Sequence, residues 1–193
     1  MHPRELERNR VTTRITTERW TLEPWTGGQD SDDLQRTWAR KPAVVVDGRR
    51  SCPELAVLAR LKLDGWDGIW VNAFGRELRQ DWFPAPAVSI VDAAPADVAA
   101  TFERLRAANG GLGGFFDVFA WRDGQVRFIE VKSGRDKWRD TQQRFFDMAV
   151  GLGHDPTDFV VVEVTPTRPT ETPRKHRSHA GAESEKHALT WGV

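Results

Sequence analysis

The dipeptide Asp123-Gly124 separates two apolar, β-branched and aromatic runs, FFDVFAW and QVRFIEVKS. Asp-Gly suits a two-residue turn in which both residues take positive φ, so the runs read as the strands of a tight hairpin. Pairing outward places Arg122 opposite Gln125 and Asp117 directly opposite Glu130, on one face of the ladder. A symmetric four-residue loop keeps that register, whereas a three-residue loop breaks it. Lys132, two residues beyond Glu130, falls on the same face, and Ile129 and Val131 fall on the other.

Facing carboxylates on a ladder repel. A divalent cation offsets that cost. Mg²⁺, or Mn²⁺ in its place, takes carboxylate and carbonyl oxygens, keeps several waters and bridges to phosphate. Asp117, Glu130 and the carbonyl of Val131 are the candidate ligands, with Lys132 placed to orient or activate water or to stabilise charge on a phosphate. The alternative is a solvated triad in which Lys132 neutralises two acids. Phe119 and Phe128 share the face, which is therefore not a simple wet surface.

Around the hairpin the pattern alternates between helix and strand. Residues 11–23 are β-branched and read as one or two strands. Asp32 or Asp33 is placed to cap a short helix over Leu34–Arg40, and residues 43–46 form a strand ending at Asp47-Gly48. Ser51, Pro53 and Glu54 precede the stripe Leu55, Val57, Leu58, Leu61, Leu63, which predicts a capped helix ending at Gly65. Residues 69–73 and 77–83 read as a hairpin across Phe74-Gly75, with Pro84 and Pro86 stopping its second strand. Residues 88–91 suggest a further short strand. A helix from Pro95 to Asn109 presents Val98, Phe102 and Leu105, and GGLGG follows as a flexible connection. Residues 139–152 read as a helix with Phe145, Met148 and Leu152 on one face, and 159–164 as a buried strand. Helix, strands, helix, hairpin, helix, strand is the order of a mixed α/β sheet with helices packed on it. Residues 1–42 form a β-rich N-terminal extension. Beyond Thr165 the chain is proline-rich and charged, so 166–193 read as a disordered basic tail.

The 193 residues include one cysteine, Cys52, which excludes a disulfide framework and any multi-cysteine zinc site. MHPRELERNR is charged with no apolar run behind it, and no stretch reaches the roughly 20 apolar residues of a membrane span. The expectation is a cytoplasmic protein without membrane partners. Basic and acidic residues balance at 28 each, yet residues 132–144 hold a local excess of three positive charges. Arg135, Lys137 and Arg139 in that run are candidates for contacts to nucleic-acid phosphates, against the plainer reading of a solvated face. Nine tryptophans and no tyrosine read mostly as core and sheet residues, with one or two available to stack on bases.

Asp117, twelve intervening residues and then Glu130-Val131-Lys132 resemble the signature of the PD-(D/E)XK nucleases. Asp136, Gln142, Phe145-Phe146 and Gly153 resemble the following helix in the VRR-NUC branch, where a glutamine follows the lysine by ten residues. The position before Asp117, which holds proline in many members, carries Phe116. The resemblance covers about a quarter to a third of the chain. It implies a restriction-endonuclease-like mixed sheet flanked by helices over residues 43–165, and a Mg²⁺-dependent deoxyribonuclease. It further implies roles for Asp117, Glu130 and Lys132 in catalysis and for Gln142 at the attacking water or the substrate backbone. Gln143 is one residue out of register. Glu54 is implied as a further metal ligand, against its reading as part of a capping box with Ser51. DNA is the implied partner and a homodimer follows by analogy. A nuclease-like module that binds nucleic acid or a protein without cutting is the alternative.

Overall fold

Asp123 and Gly124 both take positive φ, 50° and 77°. The strands they join pair as expected, with Arg122 opposite Gln125 and Val118 opposite Ile129. The computed structural model describes residues 15–26, 43–82, 85–134 and 136–166. Residues 1–14, the short helix expected over Leu34–Arg40, the stop at Pro84 and the tail beyond Pro166 lie outside the described residues.

In chain order the elements are β1 Thr16–Leu22, β2 Val44–Val46, β3 Arg49–Ser51, α1 Pro53–Leu63, β4 Asp67–Asn72 and β5 Glu77–Arg79. They continue with α2 Ile90–Ala93, α3 Ala96–Ala108, β6 Val118–Arg122, β7 Gln125–Ser133, α4 Asp140–Gly151, a 3₁₀ turn Pro156–Asp158 and β8 Phe159–Pro166. Six strands form one mixed sheet in the order β1-β8-β7-β6-β4-β5, and β2-β3 form a separate small hairpin. β1, β8 and β7 run parallel to their neighbours in that half; β7, β6, β4 and β5 are antiparallel. The expected mixed α/β sheet with packed helices is therefore present.

Both faces of the sheet are covered, which is why its central strands are apolar on both sides. On one face Val57, Leu58 and Leu61 of α1 pack on Val118, Ala120, Ile129, Val131 and on Val160, Val162 and Val164 of β8. On the other, α3 and α4 bring Phe102, Leu105, Phe145 and Phe146 against Phe119, Phe128 and Phe159. Phe128 and Phe159 stack at 4.5 Å across β7 and β8. Glu130 and Lys132 therefore project on the aromatic face, just past the end of its packed cluster.

Three local readings are corrected. Residues 88–91 are not a strand. Val88 makes a lone bridge to Leu78; the Ser89 hydroxyl then accepts from Val91 N at 3.3 Å and starts α2. A capping side chain there outweighs a short apolar run. On α4 the buried stripe is Gln142, Phe145, Phe146 and Ala149, with Met148 at its margin and Leu152 40% exposed. Hydropathy turned the face because it assigned Gln142 to solvent. The GGLGG segment is also tied down: Asn109 Nδ2 donates to the carbonyls of Gly111 and Gly113 at 2.8 and 2.9 Å.

The β4–β5 turn rests on a polar bracket. Asn72, 4% exposed, accepts from Gly75 N at 3.1 Å and donates to Glu77 Oε1 at 2.9 Å. Glu77 in turn accepts from Arg79 Nε at 2.8 Å. That guanidinium holds the Glu77 carboxyl below the usual carboxylate range, with the Asn72 bond adding to it against the effect of burial. A folded-state pKa below the unfolded one contributes stability above about 4.3, lost as pH falls through the depressed value. The amide-exchange protection factor at Gly75 should therefore hold from neutral pH to about pH 4 and collapse below it. Glu77→Gln should lower protection at neutral pH and remove the step.

Candidate active site

Asp117 stands one residue before β6. Its main-chain carbonyl accepts from Val71 N on β4 at 2.8 Å, and its Oδ2 accepts from Val131 N on β7 at 3.0 Å. The residue is thus pinned between two strands. Phe116, where many PD-(D/E)XK members carry proline, is 1% exposed and wedged against Trp138, Phe145 and Phe159. An anchored ring here fixes the backbone that a proline ring would otherwise stiffen.

Glu130 is 3% exposed. Its Oε1 accepts from Lys132 Nζ at 2.7 Å and from Gln142 Nε2. Its Oε2 is buried and receives no hydrogen bond. Asp117 lies close enough to hydrogen-bond to Glu130 when one of the two acids holds a proton. Burial pushes the Glu130 carboxyl above the usual range, and Lys132, Gln142 and Asp117 pull it partly back. A buried carboxylate oxygen with an acid for a neighbour lacks positive charge, and a proton or a cation supplies it.

Lys132 uses all three ammonium protons. Besides Glu130 it donates to Gln142 Oε1 at 3.0 Å and to the Lys137 carbonyl at 3.2 Å. The bond to Lys137 is the longest and the one nearest solvent, so it yields most readily to an incoming anion. Gln142, in the first turn of α4, also accepts from Arg139 N at 3.0 Å through Oε1. One amide thereby ties the helix start to both Glu130 and Lys132. Gln143, its competitor in sequence, is exposed and bonds Trp138 and Asp147 instead.

One cavity of about 640 Å³ brings together Glu54, Asp117, Glu130, Val131, Lys132, Lys137, Arg139 and Gln142. Of the expected positions only Arg135 falls outside the described residues. Glu54 enters from α1 and is 5% exposed. Its capping-box reading fails, because the helix is capped at Cys52 without a side-chain bond and Ser51 belongs to β3. Among the described residues no three His, Cys, Asp or Glu converge closely enough to cage a metal. Asp117, Glu130 and the Val131 carbonyl would suit only an ion that takes few protein oxygens and keeps its waters, as Mg²⁺ does.

Two contributors escaped the sequence reading. Asn72 and Phe74 line the same cavity, Asn72 buried and Phe74 90% exposed. A polar residue ending the apolar run of β4 was the available signal for the first; nothing local marked the second.

A hairpin carrying acid, acid and lysine at the end of a mixed sheet, with a helix glutamine closing over it, is the arrangement of a nuclease-type domain. The VRR-NUC domain model matches residues 71–166. The chain carries a VRR-NUC domain and so belongs with the PD-(D/E)XK nuclease superfamily. This makes it a nuclease-family protein with a nucleic-acid substrate, in a superfamily that typically uses a divalent metal. No curated protein and no solved structure matches the chain. Among the described residues no helix is long and apolar enough to cross a membrane.

Proposed function

We propose that the protein is a deoxyribonuclease of the PD-(D/E)XK type, an endonuclease dependent on Mg²⁺ or Mn²⁺, acting in DNA repair, recombination or defence. The observation that supports this reading best is the buried, undonated Oε2 of Glu130 beside Asp117, with Lys132 held at the other oxygen. Asp117, Glu130, the Val131 carbonyl and Glu54 would hold the cation. When bound, a divalent cation polarises the scissile phosphate and lowers the pKa of water.

The chain's own groups do the rest. Lys132 exchanges its bond to the Lys137 carbonyl for the phosphate or the attacking water and stabilises developing negative charge. Gln142 is a positioning residue: it keeps the ammonium and the Glu130 carboxylate in register with α4. Lys137 and Arg139, both exposed on the cavity rim, hold flanking phosphates, with Arg135 beside them in sequence. Their contacts position the backbone and carry no sequence information.

Metal titration beside nicking of supercoiled, single-stranded and branched DNA tests the reading. Mg²⁺ and Mn²⁺ should bind and support cleavage. Ca²⁺, larger and looser in geometry, should bind and support it poorly. A protein that binds neither metal and leaves every DNA intact would instead be the non-cutting binding module.

A further inference from the structure

The tip of the β4–β5 turn presents Phe74 to solvent at 90% exposure, the highest of any large apolar side chain among the described residues. Single exposed apolar residues are common and require no explanation by themselves. Two observations separate this one. The ring sits on the wall of the cavity that contains Asp117, Glu130 and Lys132. The turn that carries it is also braced by a polar network.

Buried Asn72 grips Gly75 N, and a Cβ on Gly75 would lie 2.4 Å from Asn72 Nδ2, so the turn closes directly on that amide. Arg79, 5% exposed, braces Glu77 and reaches on to the Ala85 carbonyl at 2.7 Å. A satisfied polar network of this kind is rigid. Phe74 sits in that braced turn, exposed and lining the cavity.

The same cavity is lined by the cations Lys132, Lys137 and Arg139. Cations and an aromatic side chain in one cleft match the two ends of a nucleotide, phosphate and base. In a paired duplex the base faces are already stacked on each other, so the ring has nothing to stack on. We infer that Phe74 is a specificity residue that stacks an unpaired base beside the scissile phosphate, so the enzyme selects DNA with single-stranded character at the cut. This rests on the proposed nuclease reading of the same cavity.

The test uses oligonucleotides with 2-aminopurine placed in turn at each position around a flap or gap, and in the matching duplex. Binding is read by fluorescence and anisotropy with Ca²⁺, and cleavage with Mg²⁺. Wild-type protein should quench an unpaired 2-aminopurine and prefer unpaired DNA. Phe74→Ala should lose the quench and bind unpaired DNA about 5- to 100-fold more weakly, the range for losing one base–aromatic stack. The preference over duplex should fall toward one, and Phe74→Trp should restore quench and preference. An unchanged quench in Phe74→Ala, or an equal loss on paired and unpaired DNA, would overturn the inference. If the quench depends on Phe74 but no DNA is cut, the nuclease reading fails and the stacking site stands. If DNA is cut without regard to Phe74, the reverse holds.

Discussion

Asp117→Asn should leave the fold in place and abolish metal binding and cleavage together. The asparagine keeps an oxygen for the Val131 N–H, which Asp117 Oδ2 accepts at 3.0 Å, and removes only the charge. Asp117→Ala is the poorer variant, because it also strands that N–H at a cost of about 1–3 kcal/mol. With Asp117 neutral, the remaining oxygens offer too little charge to draw Mg²⁺ out of water. Calorimetry should show no Mg²⁺ or Mn²⁺ binding, and nicking of supercoiled DNA should fall below detection. Glu54→Gln, which keeps one side-chain oxygen, should be milder, weakening metal binding by about 10- to 100-fold. Full metal affinity in Asp117→Asn would remove Asp117 from the site.

Lys132→Ala should have a different signature. Metal and DNA still bind, but the rate falls by about 10²–10⁴, the range for a positioned acid–base or charge-stabilising group. Stability should change in a way that depends on metal. Lys132 and Glu130 form an ion pair at 2.7 Å with side chains 13% and 4% exposed. Removing one partner of a buried pair leaves an uncompensated charge and costs about 3–5 kcal/mol. A bound cation supplies the missing positive charge, so Mg²⁺ should raise the melting temperature of Lys132→Ala by more than that of wild type. Equal shifts in the two proteins would show that the cation does not sit at Glu130. A rate within about twofold of wild type would take Lys132 out of the chemistry.

What the chain declared locally was its central hairpin and the site's first pair. Asp123-Gly124 sets a turn of one geometry, and turn geometry sets register, so Asp117 and Glu130 fall opposite each other with no further information. The α1, α3 and α4 segments were legible through their apolar spacing for the same reason: a 3.6-residue period is written in neighbours. Long-range placement was not. β1 reads as a strand, but its parallel pairing of Thr16 with Val160 joins segments that carry no mark of one another. Parallel neighbours are chosen by the packing of the whole sheet. Glu54 reached the cavity because α1 crosses the opposite face and delivers its first turn to the same end. Gln142 and Gln143 are adjacent and chemically identical, and only the docking of α4 buried one and exposed the other. Phe74 reads in sequence as one more apolar residue near a glycine turn. Its exposure beside the cavity was not legible, because a side chain's exposure depends on what the tertiary fold leaves uncovered.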